Sequence, residues 1–460
     1  MTKWRATFLR IRLSVIPYSL PHYLITHSPQ MRSLLRLLAL TAILLPATLR
    51  AEIQHVIAIS VDGFRGDFLQ SFVDGAPATF PNFVRLRNMS AFTYNARCDY
   101  DYSETVPNHL AMVTGRPVLQ PGGQPTSAFT GFTNNFPTTT DTVHVYGGAS
   151  GTNSGPYKAG VFDIVHDAGL STALYLGKTR LEIIRRSYDA TNGALDITGV
   201  SNGRNKIDFA QVQDGNTGTL VSTLVSHIGG TLERFTFLHI TDPDTAGHNT
   251  GATGGWTTTV GGLYRNSIIT VDGYLGSILN AIDANSALAG KVAIIVTGDH
   301  GGGGLAGAPT SHLDATQPGN FTIPFFLSAP GLPGGSDLYS AFDNRFTPAA
   351  SVRPLFTAAS QPVHNADLAN LSTALLGLPL VTNAFIQPEL KRPLTLTRAA
   401  STMTAAWPSY LTGYTLEYTD NLVAGPWTTV TSGITEAAGQ KTYSFTFPPP
   451  DARFFRLRKP

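Results

Sequence analysis

Apolar residues fall along this chain with two different spacings. Residues 56–61 (VIAISV), 235–240 (FTFLHI) and 292–296 (VAIIV) are runs of five or six with almost no polar side. Such runs predict central strands of a parallel sheet covered on both faces. Residues 172–176 and 323–327 are strand-like in the same way. Ile268, Val271, Leu275, Leu279 and Ile282 recur every three or four residues, which predicts an amphipathic helix; 159–168 and 367–376 are shorter candidates. Asp272, in a Val-Asp-Gly inside the long helix, reads as solvated. The alternation over 52–392 predicts an α/β domain with a mostly parallel central sheet flanked by helices.

The texture changes near residue 392. Short alternating runs at 402–407, 414–418, 427–430, 443–447 and 453–457 are separated by Asp420-Asn421, Gly425-Pro426 and Pro448-Pro449-Pro450. This predicts a small β-sandwich over 395–460. It resembles the fibronectin type III-like modules appended to secreted bacterial enzymes, and its partner is open. At the other end, residues 31–51 combine Arg32 and Arg36, an apolar run over 37–47, and Ala51 as a cleavage site. A signal peptide beginning at Met31 is expected, and with it export to the periplasm or the extracellular space. An uncleaved anchor is the alternative. No later stretch reaches the ~18 apolar residues of a membrane span.

Of 460 residues only 13% are charged. The first 51 hold seven of the 32 basic residues and none of the 30 acidic ones, so 52–460 carries 25 basic against 30 acidic, a net of −5. No basic footprint for a nucleic-acid duplex is present there. The single cysteine, Cys98, excludes a disulfide framework and a Cys-rich zinc module. It reads as a buried, unreactive thiol.

The strand ends carry the chemistry. Each of three apolar runs releases Asp or His within a few residues: Asp62, then Asp244 and His248, then Asp299 and His300, with His312 twelve residues on. Ligands bind at the carboxyl ends of strands in open α/β sheets, so these groups are expected to converge. Mixed carboxylate and imidazole ligands suit zinc, with manganese or iron behind it. Six of them divide into two sets of three, the pattern for two divalent ions acting on phosphorus. Thr105, in Ser-Glu-Thr-Val-Pro-Asn-His at 103–109, would stand at a helix N-terminus, where free amides favour an anion. Lys178, after the run at 172–176, is a candidate for a substrate anion. Gly301 to Gly304 lacks a following Gly-Lys-Ser/Thr and reads as a flexible link. His55, His144, His166, His227 and His239 have no partner motif and read as structural.

VDGFR at 61–65, TVPNH at 105–109 with VTG at 113–115, DPDTAGH at 242–248 and GDHG at 298–301 resemble the alkaline phosphatase superfamily, specifically its type I phosphodiesterase/nucleotide pyrophosphatase branch. The resemblance implies that Asp244, His248 and a later histidine hold one metal. His312 is preferred for that place and His364 is its rival. Asp62, Asp299 and His300 would hold the second metal, which also contacts Thr105. Thr105 would attack phosphorus to give a phosphothreonine, with Asn108 donating to a non-bridging oxygen and His109 structural. The implied function is an exported two-metal phosphohydrolase acting on small phosphodiesters or nucleotide pyrophosphates. No arginine is clearly placed to clamp a dianionic phosphoryl group, although Arg65 and Arg116 could contribute. A phosphomonoesterase, a phosphonate hydrolase using Lys178, and a non-catalytic exported binding protein are the alternatives.

Overall fold

The computed structural model describes residues 53–144, 155–196, 203–423, 425–446 and 453–459. The leader expected at 31–51, with its cleavage site, lies outside them, as do Phe447 and the three prolines after it. The chain forms one compact unit from Glu52–Lys391 with Pro408–Gly413, and another from Arg392–Trp407 with Tyr414–Pro460.

The first unit is built on an eight-stranded sheet: β1 (His55–Val61), β2 (Ala91–Arg97), β3 (Thr172–Leu176), β4 (Phe209–Val212), β5 (Phe235–Ile240), β6 (Val292–Gly298), β7 (Thr322–Ser328) and β8 (Ser336–Asp337). Their order is β4-β3-β5-β1-β6-β7-β2-β8. The five strands from β4 to β6 run parallel, while β7 is antiparallel to both β6 and β2. The helices are α1 (Gly66–Gly75), α2 (Pro81–Met89), α3 (Thr105–Thr114), α4 (Val161–Asp167), α5 (Glu182–Ser187), α6 (Thr217–Gly229), α7 (Asp242–Gly247), α8 (Leu263–Ala284), α9 (Pro318–Phe321) and α10 (Asp367–Leu375).

Alternation along β1 assigns the two faces. Ile57, Ile59 and Val61 join a core with Leu69 of α1, Phe83 of α2, Leu224 of α6 and Ile268, Val271, Leu275 and Leu279 of α8. Ser60 points the other way and meets His109 Nε2 of α3 at 2.9 Å. On that side α10 packs against α3, α4 and β1. The layering is helix, sheet, helix, as the apolar runs predict. Asp272 corrects its own reading: it is 3% exposed, and its Oδ1 accepts the N–H groups of Asn82 and Phe83. It caps α2 from the side of α8.

The second unit has two sheets, β13-β14-β10-β9 and β12-β11-β15, from β9 (Thr395–Ala399), β10 (Thr402–Pro408), β11 (Thr415–Thr419), β12 (Thr428–Thr429), β13 (Ile434–Ala437), β14 (Gln440–Thr446) and β15 (Phe454–Arg458). Phe445 and Phe455, one from each sheet, meet at 5.1 Å. Between β10 and β11 the chain returns to the first unit for Pro408–Gly413. There Ser409 and Leu411 are buried and the Tyr410 hydroxyl donates to Lys391 O. Among the described residues no helix is long and apolar enough to cross a membrane.

Candidate active site

Four neighbouring parallel strands, β3, β5, β1 and β6, end on the same edge and deliver Lys178, Asp244, Asp62 and Asp299-His300. Thr105 arrives from α3. That helix starts after extended Glu104 and ends at left-handed Gly115 (φ 64°), and all ten of its residues are buried. The Thr105 hydroxyl faces Asp62 Oδ1 at 3.5 Å.

Two groups offer ligand atoms within 4.8 Å of one another: Asp244, His248 and His312; and Asp62, Asp244 and His300. Asp244 therefore belongs to both groups. Asp299, expected in the second, has its Oδ1 engaged by the N–H groups of Gly63 and His300, while its Oδ2 lies 3.3 Å from His300 Nε2. His364, the rival of His312, lies away from this cluster against Phe356 and Gln361.

Whether these residues fit a metal is decided by their free valences. His248 Nδ1 donates to Thr310 O at 2.9 Å, His300 Nδ1 to Gly301 O at 2.7 Å, and His312 Nδ1 to Ser103 O. Carbonyls only accept, so in each neutral ring Nε2 is left as a bare lone pair, the tautomer of a metal-ligating histidine. His248 Nε2 and His312 Nε2 face each other at 3.1 Å, which two lone pairs tolerate only with a proton or a cation between them. Asp244 Oδ1, Asp299 Oδ2 and His300 Nε2 are buried without a hydrogen-bond partner. Buried polar atoms are rarely left so. The donor set fits divalent cations.

Electrostatics follow from burying three carboxylates together. Burial pushes Asp299 well above the usual carboxylate range, and the charges of Asp62 and Asp244 push it further. Burial acts on Asp62 in the same direction, but the Lys178 ammonium, with His239 and His300, reverses it and holds the group well below its ordinary value. Burial, then the nearby His300, lowers His312 to about 3.

Several expectations are corrected here. Lys178 does not stand free for a substrate anion; its Nζ lies 2.7 Å from Asp62 Oδ2 and 2.5 Å from Asp244 Oδ2. Asn108 donates both amide hydrogens to Tyr102 O and Glu104 O, and its Oδ1 accepts from Asp99 N–H and Asn365 Nδ2. No donor remains for a phosphoryl oxygen, so the side chain ties down the loop before α3. At the start of the helix the Val106 amide donates to Asn135 Oδ1. Arg116 is buried and bonded to the carbonyls of Ser127, Thr114 and Ala159, and Arg65 to Asp67 and Gly302 O. Neither is left free to clamp a substrate dianion. Nor is Gly301 to Gly304 a flexible link, because all four backbone amides are bonded. A Cβ at Gly302 would lie 2.0 Å from the Trp256 ring.

Sequence reasoning missed Trp256 and Asn135. Trp256 donates to Gly63 O, and its ring stands 5.2 Å from that of His248 and 5.9 Å from that of His312. Gly247 and Gly302 close on its ring only in the folded chain, so no signal in the sequence marked it. Asn135 is likewise unmarked.

No curated protein sequence matches the chain. Among solved structures, an alkaline phosphatase superfamily protein from Vibrio parahaemolyticus is similar at 12% identity, covering 84% of each chain, with a TM-score of 0.45. Murine ectonucleotide pyrophosphatase/phosphodiesterase 5 aligns at 15% identity over 71% of this chain and 96% of its own, with a TM-score of 0.41. A putative sulfatase from Bacteroides fragilis aligns at 13% over 87% and 90%, with a TM-score of 0.44. The sequence pattern that defines the type I phosphodiesterase/nucleotide pyrophosphatases matches residues 56–315, more than half of the chain, and the chain belongs to that family.

Proposed function

We propose that the protein hydrolyses small phosphodiesters or nucleotide pyrophosphates through a phosphothreonine on Thr105, with two divalent cations, zinc foremost, and that it does so after export. The reading is carried by the Thr105 hydroxyl 3.5 Å from Asp62, where Asp62, Asp244 and the Nε2 atoms of His248, His300 and His312 converge, with Asp299 Oδ2 beside His300. Asp244, His248 and His312 would hold one cation, and Asp62, Asp299 and His300 the other, with Asp244 near both. Bound there, the cations would supply a lowered pKa for the Thr105 hydroxyl, an activated water and positive charge for the phosphoryl oxygens.

The chain's own residues do the rest. Thr105 Oγ1 forms a bond to phosphorus as the ester oxygen opposite leaves, and the proton Thr105 gives up balances the one the leaving oxygen takes. Water then displaces Oγ1 and the hydroxyl regains its proton. Lys178 offsets the charge of Asp62 and Asp244. With Arg65 and Arg116 committed to carbonyls and Asp67, the site suits a singly charged diester better than a dianionic monoester. Lys178, the cation a carboxylated phosphonate would need, is committed as well.

Zinc-loaded protein is expected to cleave bis(p-nitrophenyl) phosphate faster than p-nitrophenyl phosphate, and Thr105→Ala to lose both activities while keeping its metal. A monoester preference on the order of 100-fold, what one well-placed donor supplies, overturns the diester assignment. Export is supported by the pattern at 31–51, and N-terminal sequencing of secreted protein is expected to begin at Glu52.

A further inference from the structure

β5 is buried along its whole length, yet its sequence, FTFLHI, places an imidazole in a central strand. His239 is fully buried and lies across from Ser60 in the β1–β5 register, two residues before Asp62. A buried imidazole is costly unless both nitrogens are bonded, and here both are. Nδ1 lies 3.1 Å from Gly177 N and Nε2 3.0 Å from Asp62 Oδ2. A backbone amide only donates, so Nδ1 accepts, Nε2 carries the hydrogen, and Nε2–H donates to Asp62. This is the opposite tautomer to His248, His300 and His312, whose Nδ1–H groups point at carbonyls. His239 is therefore built as a donor to a ligand rather than as a ligand.

We propose that His239 is a positioning residue for the cation site: it holds Asp62 by Oδ2, which it shares with Lys178, and so keeps Oδ1 turned towards Thr105 and His300. Oδ1 lies 3.5 Å from each of them. The arrangement also explains Gly177, where a Cβ would come within 3.1 Å of His239 Nδ1 and its carbonyl oxygen. The turn that brings the Gly177 amide to Nδ1 is the one that presents Lys178. Partners one step behind a metal ligand typically set 10–100-fold in metal affinity.

The inference rests on the proposed metal site, and the test separates the two. Zinc affinity of full-length protein is measured by competition with a chromophoric chelator for wild type, His239→Gln and His239→Asn. Glutamine reaches the Nε2 position and restores a donor to Asp62; asparagine reaches only the Nδ1 position. His239→Asn is expected to bind zinc 10–100-fold more weakly, and His239→Gln to recover most of that loss. Equal affinity in all three proteins, or equal weakening in both variants as packing alone would give, overturns the role of His239. Absence of zinc binding by wild type overturns the metal site itself. Independently of folding in either variant, ¹⁵N NMR of metal-free wild type is expected to show His239 as the Nε2–H tautomer, and an Nδ1–H signal overturns the proposal.

Discussion

Lys178 is the only cationic side chain in contact with both Asp62 and Asp244 among the described residues, and its ammonium is itself buried. Removing one partner of a buried ion pair exposes the other to the full cost of desolvation, typically 3–5 kcal/mol. Lys178→Met is accordingly expected to destabilise the metal-free protein by about that much and the zinc-loaded protein by clearly less, as read by urea unfolding with and without zinc. Equal losses in the two forms would count against charge compensation. His364 offers a test away from the metal. Burial lowers its pKa to about 4, against 6.5 when exposed, so the folded protein keeps it neutral. A depressed histidine contributes stability that is present above ~6.5 and is lost as pH falls towards ~4. Between pH 7 and 5 the loss is about 2 kcal/mol. In His364→Gln that share of the pH dependence disappears, whatever the variant's stability at pH 7.

At the level of elements, Asp272 shows what a local pattern conveys and where it stops. The stripe of α8 was readable because an amphipathic helix repeats every 3.6 residues, and β5 was readable to the residue because a strand covered on both faces is a mostly apolar run with no polar side. The role of Asp272 was not, since the amides it accepts lie about 190 positions earlier in the chain. The orientation of Asn108 was hidden differently: its amide is satisfied by the carbonyls of Tyr102 and Glu104 just before it, and a motif names a side chain without saying which way it turns. β2, β4 and β8 escaped notice because they are polar or only two to four residues long. α2 has no side-chain cap of its own at Phe80. Asp272→Ala is expected to cost about 1–3 kcal/mol by leaving those amides unpaired, and hydrogen exchange should quicken first at Asn82 and Phe83. Unchanged protection there would mean that α2 is capped by other means.

At the scale of the molecule, the convergence of Asp62, Asp244 and Asp299-His300 follows from topology. Parallel neighbours β5, β1 and β6 must end on one edge, so segments more than 50 residues apart in sequence meet without any local signal. The parallel runs were legible and the shared edge followed from them; the crossing of the chain at Pro408–Gly413 was not, because nothing in six residues between two strands marks them as belonging elsewhere. That crossing makes a prediction. A chain ended after Lys391 loses the buried Ser409 and Leu411, whereas one ended after Gly413 keeps them. The longer truncate is expected to melt higher, by several degrees in a thermal scan. Equal melting temperatures would show the six residues to be dispensable. Anyone wishing to exchange the terminal sheets for those of another protein faces the same seam: a graft made at the obvious break in texture would carry away a clasp of its host, and a workable transplant has to be stitched at two places.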